Sequence, residues 1–245
     1  MSINLLKFRV LKDKSARGIM LILTGLSLLI LVAMGAGLYW KSTTILSDQS
    51  LWKLLSSSEW SPMKGEFGFF SFIAGSIYVT VLSVLIALPI SLLTALYVTE
   101  NAKAWVKKLL FPVLDILAGI PPVVYGVWGT LVIVPWIADS VGPKFVEYTN
   151  GYTVLAGGIV LSIMIIPLLV SLFVEIFSTV SKDYKDASAS LGATRWQTSR
   201  FIVLRKALPG IIAAIVLAIS RAFGETLAVL MVCGNVINIP RNLFE

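Results

Sequence analysis

Five long apolar segments constrain this chain more than any other feature of its sequence. They run over Ile19–Trp40, Phe72–Val98, Leu109–Ile137, Thr153–Thr179 and Gly210–Val232. A helix of about 20 residues crosses the roughly 30 Å hydrocarbon core of a bilayer, and each segment is at least that long. Charged residues make up 13% of the chain, against about 25% in soluble domains. The sequence therefore predicts an all-α, polytopic bundle of membrane helices.

Basic residues predict the orientation of these helices. Most of the 20 Lys and Arg residues fall in the N-terminus and in the loops that lie on the same side of the membrane as it. The positive-inside rule then places the N-terminus in the cytoplasm. We predict a cytoplasmic segment at 1–18, an uncleaved first transmembrane helix at 19–40, a periplasmic loop at 41–67, and a transmembrane domain at 68–245 with a cytoplasmic loop at 180–208.

Composition also narrows the chemistry. The chain has no histidine and one cysteine, Cys233, so it lacks the commonest metal ligand and cannot form an internal disulfide. We predict no catalytic residues and no metal site, which disfavours a membrane-embedded enzyme. The net charge of +7 is interpreted as cytoplasmic loops facing anionic lipid, and not as nucleic-acid binding.

The 180–208 loop combines small side chains with signals for two short helices. Gly192 allows a bend, and Thr194 with Gln197 forms a capping-box pattern at the start of a second helix. Small side chains let a partner protein approach closely, whereas an ordinary solvated connector is the alternative. The predicted docking surface consists of Asp186, Ala187, Ser188, Gly192 and Ala193.

Two charged residues lie within the fifth apolar segment. In a continuous helix, Arg221 lies about 18 Å beyond Pro209, near the bilayer midplane. A cation there costs roughly 2.5–3.5 kcal/mol, and Glu225, four residues later, shares its helix face. The two residues form either a structural ion pair or, with Thr226, the polar lining of a path for an oxyanion, which a guanidinium binds well.

Pro121 and Pro122 interrupt the third apolar segment. A proline pair frees backbone carbonyls that need new partners within a membrane. The sequence therefore predicts either that this region faces protein or a watery cavity, or that it is a simple packing kink.

The loop resembles a cytoplasmic loop shared by the permeases of ABC importers. Their pattern is Glu-Ala-Ala, three residues and Gly, with a later Leu-Pro. Here Asp186, Ala187 and Ser188 precede Gly192 at that spacing, and Arg205 replaces the later proline. The resemblance implies that the loop docks into a groove of an ATPase subunit.

Three stretches are more specific, and they resemble the permeases of phosphate-specific ABC importers, the Pst system. These stretches are Leu117–Gly129, Leu191–Thr198 and Ser220–Val229. Of the two permease types in that system, Glu59–Pro62 and Gly234–Asn235 are more similar to the PstC type. The resemblance implies a type I ABC importer permease fold, usually of six helices, so we expect a sixth to be missing at the C-terminus.

The resemblance also implies a function and its partners. The chain is expected to be the permease of an ATP-driven phosphate importer in the inner (plasma) membrane of a prokaryote. Expected partners are a PstA-type permease, a PstB-type ATPase dimer that uses ATP and magnesium, a PstS-type phosphate-binding protein and membrane lipid. No cofactor is expected on this chain. The alternatives are an importer of molybdate, tungstate or sulfate, and a secondary transporter.

Overall fold

The computed structural model describes residues 3–234, 237, 239–240 and 242–244. Asn235, which follows the fifth predicted helix, lies outside the described residues. The chain forms two units, 1–57 and 58–245. In the first unit, α1 (Ile3–Asp48) contains the predicted first transmembrane helix. A short helix, α2 (Leu51–Ser56), follows, and the side chain of Ser50 caps its N-terminus by accepting from the Lys53 amide at 3.3 Å.

The second unit begins with a small antiparallel hairpin. Strands β1 (Trp60–Ser61) and β2 (Glu66–Phe67) pair through Trp60 opposite Phe67. A 3-10 turn at Pro62–Lys64 joins them and ends at Gly65, whose φ of 75° favours glycine. The Trp60 ring also packs against Phe72 with 5.1 Å between the centroids, which fixes the hairpin to the first turn of the next helix.

Two long helices form the centre of this unit. They are α3 (Phe70–Glu100) and α7 (Val154–Ser178), and they pack along one another. Gly158 permits the close approach, since a Cβ there would lie 2.6 Å from Leu82 Cδ2. The large side chains of Phe173 and Phe177 on α7 are fully buried. Helix α7 is therefore the core around which the remaining helices are arranged.

The predicted third transmembrane segment is divided in two. Helix α4 (Ala104–Gly119) ends before Pro121, whose extended backbone separates it from α5 (Pro122–Trp128). The break predicted from the proline pair is present, because Pro121 has an extended backbone and Pro122 occupies the first position of α5, where proline is favoured. Leu109–Ile137 is therefore not one continuous helix, and the helical stretch of 23 residues at Pro122–Lys144 is long and apolar enough to cross a membrane.

The Pro122–Lys144 stretch has several parts. After α5 come a π-helical turn at Gly129–Ile133, α6 (Val134–Trp136), a second π-helical turn at Ile137–Val141 and a 3-10 turn at Gly142–Lys144.

The predicted fifth segment also ends earlier than expected. Helices α9 (Arg195–Thr198) and α10 (Leu204–Gly224) are joined by a π-helical turn at Ser199–Val203 into one stretch of 30 residues. The stretch ends at Gly224, and α11 (Leu227–Val232) follows after a break. Gly210–Val232 as one continuous helix is therefore wrong, and the helix begins within the 180–208 loop.

Five helices of the described chain are long and apolar enough to cross a membrane. This number agrees with the five apolar segments, and the predicted all-α, polytopic class is confirmed. The five stretches are Lys12–Ser47, Phe70–Glu100, Pro122–Lys144, Val154–Ser178 and Arg195–Gly224.

Candidate functional site

The docking loop, residues 180–208, folds into a helix, a bend and a second helix. Helix α8 (Lys182–Ser190) is followed by Gly192, whose φ of 80° turns the chain. The Thr194 hydroxyl accepts from the Gln197 amide at 3.3 Å, and Gln197 Oε1 accepts from the Thr194 amide at 2.8 Å. The capping box predicted from the sequence is thus confirmed, and it fixes where the second helix begins.

One face of α8 makes polar contacts with the rest of the molecule. Lys185 Nζ donates to Glu100 Oε1, the last residue of α3, at 2.6 Å. The hydroxyls of Ser188 and Thr198 lie 3.0 Å apart. Residues three and four apart share a helix face, so this spacing places one side of α8 towards the bundle and leaves the other side open.

The open face carries most of the predicted docking residues. Asp186, Ala187 and Gly192 are exposed, whereas Ser188 and Ala193 are half-buried. A Cβ added at Gly192 would meet no atom within 4 Å, so nothing within the chain fills the space beside it.

Two apolar side chains on this face were missed by sequence reasoning. Leu191 is 89% exposed and Trp196 is 56% exposed. Their apolar character inside a polar loop was the available signal. Exposed apolar groups beside small residues are typical of a protein-binding surface.

A cavity of about 580 Å³ lies where α3 and α7 begin and where α10 breaks before α11. Its walls are apolar side chains interspersed with hydroxyl and amide groups. Among the described lining residues, Glu225 is the only charged one. The polar lining residues are Ser71, Ser76, Thr80, Tyr148, Thr149, Asn150, Tyr152, Glu225 and Thr226.

The three predicted path residues are divided by the helix break. Glu225 and Thr226 line the cavity, whereas Arg221 is exposed and does not. Glu225 has an extended backbone, and its Oε1 accepts from the Ala228 amide at 3.4 Å at the start of α11. The expectation that Arg221 and Glu225 share a helix face is therefore wrong, because α10 ends at Gly224. No ion pair joins them in the part of the chain that the structure describes.

The proline pair lies outside the cavity lining. Tyr125 Oη donates to the carbonyl of Leu117 at 2.9 Å, which satisfies one backbone acceptor near the end of α4. This bond between side chain and backbone gives the break a protein partner. The geometry at Pro121 and Pro122 accordingly favours the packing kink over a polar path.

These features define a multi-pass helical membrane protein with an exposed loop at 180–208 and a mainly apolar cavity that contains hydroxyl, amide and carboxylate groups. A family model described as binding-protein-dependent transport system inner membrane component matches residues 87–242. The chain therefore belongs to this family of inner-membrane transport components. The predicted type I importer permease fold and the predicted membership of the ABC importer permeases are confirmed.

Two curated relatives and one solved structure are similar to this chain. The chain is 43% identical over 195 residues to the probable ABC transporter permease protein YqgH of Bacillus subtilis, covering 79% of this chain and 62% of that protein. It is 33% identical over 230 residues to the phosphate transport system permease protein PstC of Xylella fastidiosa, covering 88% and 71%. An inward-facing structure of the MetNI methionine ABC transporter aligns at 22% identity and a TM-score of 0.48, covering 68% and 74%.

The predicted resemblance to PstC permeases is confirmed by the Xylella relative. The chain spans 62% of the length of YqgH and 71% of the length of PstC.

Proposed function

We propose that the chain is the membrane-spanning permease subunit of an ATP-driven importer of inorganic phosphate. The observation that carries this proposal is the kinship with the Xylella PstC permease across 88% of the chain. The chain itself performs no catalysis in this proposal. It lies in the plasma membrane of a prokaryote with its N-terminus in the cytoplasm, in keeping with the distribution of Lys and Arg.

The docking loop is the proposed binding site of a cytoplasmic ATPase. Asp186 and Ala187 of α8 are exposed, and Leu191, Gly192 and Trp196, which follow α8, are exposed as well. Small residues permit close approach, and exposed apolar residues bury surface when the partner arrives. A PstB-type dimer would bind here and would hold the ATP and magnesium. The capping box stabilises the conformation of the docking loop before the ATPase binds.

We propose that the cavity forms part of the path that phosphate takes through the membrane. The hydroxyl groups of Thr80 and Thr226 can donate to phosphate oxygens, but no described lining residue supplies a positive charge. Arg221 lies next to the lining residue Ala222 and is exposed. We propose that Arg221 meets the anion where a PstA-type permease completes the path, after a PstS-type binding protein has delivered it.

Reconstitution of the full complex tests the proposed function. The full-length chain, the second permease, the ATPase and the binding protein would be incorporated into proteoliposomes supplied with labelled phosphate, sulfate, molybdate or tungstate. We expect ATP-dependent uptake of phosphate alone. Uptake of another oxyanion would mean that the importer carries that ion and not phosphate. Uptake without ATP would instead support a secondary transporter.

The proposed orientation of the chain in the membrane is tested separately, by labelling the docking loop. Single cysteines introduced between Lys182 and Lys206, in a Cys233→Ser background, should react with a membrane-impermeant maleimide only after the cells are opened. Labelling of intact cells at these positions would contradict a cytoplasmic docking loop.

A further inference from the structure

A single ion pair ties the docking helix α8 to the central helix α3. Lys185 Nζ lies 2.6 Å from Glu100 Oε1, and the two residues are 85 positions apart in the sequence. We propose that Lys185 and Glu100 are positioning residues that carry movement of the docking loop to α3 and so to the cavity. This inference rests on the proposed function, because it assumes that an ATPase moves the loop.

The Lys185–Glu100 pair lies in a partly buried environment, which favours a stable connection between α8 and α3. The side chains of Lys185 and Glu100 are 23% and 12% exposed, so both are largely withdrawn from water. Charge-assisted hydrogen bonds are shorter and stronger than neutral ones, and salt screens a partly buried pair less than a surface pair. Within the described residues it is the only ion pair closer than 4 Å. The contact therefore holds the two helices together more firmly than an ordinary surface pair would.

The other polar contacts of α8 do not reach α3. Ser188 contacts Thr198 at 3.0 Å, and the Lys206 ammonium lies 4.4 Å from the centre of the Tyr184 ring. Thr198 and Lys206 belong to the α9–α10 stretch, which the backbone already joins to the loop. Movement of α8 therefore reaches α10 through the chain itself, whereas its polar connection to α3 passes through Lys185.

Helix α3 connects this pair to the cavity. Glu100 is the last of its 31 residues, and Ser71, Ser76 and Thr80 near its beginning line the cavity. At 1.5 Å per residue the helix is about 46 Å long. It remains one helix through Pro89 and packs along the buried α7, so we infer that a displacement at Glu100 is passed along α3 to its beginning. The pair thus joins the docking loop to one wall of the cavity.

Charge exchange tests this link in the full importer complex. Lys185→Glu, Glu100→Lys and the double exchange would be reconstituted in proteoliposomes, with oxyanion uptake and ATP hydrolysis measured on the same sample. Each single variant should retain ATPase binding and hydrolysis but lower the uptake per ATP by about tenfold, the loss expected for a broken charge-assisted bond. The double variant should restore the ratio to within about twofold, since attraction is re-established.

Lys103→Gln is the matched control, because Lys103 is an exposed lysine near the same end of α3, outside the docking loop. It should leave uptake per ATP unchanged. Unaltered ratios in both single variants, loss of ATPase binding in either of them, or a double variant no better than the singles would each overturn the link. If the wild-type complex carries another oxyanion, the phosphate proposal fails, but the ratio is then measured with that ion, so the two failures are distinguished.

Discussion

The docking loop and the cavity are organised in opposite ways. The loop is shaped by contacts between near neighbours, such as Thr194 with Gln197 and Ser188 with Thr198, and its predicted functional face is open. The cavity brings together residues as far apart in the sequence as Ser71 and Thr226, and it is recessed between helices. Local contacts thus set the bend and the second helix of the loop, to which the Lys185–Glu100 ion pair adds a long-range contact, whereas the cavity is formed by long-range packing.

The largest expected effect is at Gly192, where the positive φ disfavours a side chain and the space beside the residue is left free for a partner. We expect Gly192→Trp to abolish both co-purification of the ATPase and phosphate uptake, with membrane insertion retained. The φ of 80° disfavours any L residue by about 1–2 kcal/mol, and an indole on the open face blocks a partner. Co-purification from detergent extracts measures the loss.

Gly65→Trp is the matched control for this variant. Gly65 has a φ of 75° and an equally unobstructed Cβ position, but it lies in the hairpin turn. It should bear a similar backbone strain and still bind the ATPase. Gly192→Ala, with strain but little bulk, should fall between the two. Normal ATPase binding by Gly192→Trp would remove Gly192 from the docking surface.

The next largest effect is expected at Arg221, which tests the proposed phosphate path and not the docking loop. Arg221→Gln should lower phosphate uptake about 10- to 100-fold without loss of assembly, the range expected when a charge-assisted hydrogen bond of about 1.5–3 kcal/mol is lost. Arg221→Lys retains the charge but loses the planar fork, so its uptake should be intermediate. Normal uptake by Arg221→Gln would exclude Arg221 from the path.

The two helix breaks show how far the sequence predicts this fold. The adjacent Pro121 and Pro122 mark a break, whereas four single prolines of the chain lie inside helices, at Pro89, Pro112, Pro167 and Pro209. The helix break after Gly224 lies in an apolar segment without proline, and this pattern predicts one continuous helix. Its position depends on tertiary contacts, including the bond from Thr130 Oγ1 to the Met231 carbonyl at 3.2 Å, which links α11 to the Pro122–Lys144 stretch.

The same contrast explains which parts of the candidate site were predictable. The bend at Gly192 and the cap at Thr194 follow from residue types at fixed spacing, so the sequence predicts them. The wall formed by Tyr148, Asn150 and Tyr152 has no such pattern, and the fold alone brings it to the cavity. Glu225 was predicted either to pair with Arg221 or to line a path with Thr226, and in the structure it lines the cavity with Thr226.

Glu225 allows a smaller and more specific test of the cavity. Glu225→Gln keeps an oxygen that can accept from the Ala228 amide, so the start of α11 should persist. Removing the only charge in the described lining should raise apparent phosphate affinity about fivefold, as expected for about 1 kcal/mol of relieved repulsion, and should slow maximal uptake. Glu147→Gln, at an exposed carboxylate that does not line the cavity, is the control. Unchanged uptake kinetics in Glu225→Gln would show that its charge does not face the anion.

The smallest effect is expected at Ser188, on the inner side of the docking helix. Ser188→Ala removes the 3.0 Å contact with the Thr198 hydroxyl, which contributes about 0.5–1.5 kcal/mol. Alanine is also the residue at this position in the importer loop pattern, and it keeps the helix itself intact. ATPase affinity in a titration with purified complex should therefore fall by less than about tenfold. A complete loss of binding would mean that this buried contact, and not the open face around Gly192, determines docking.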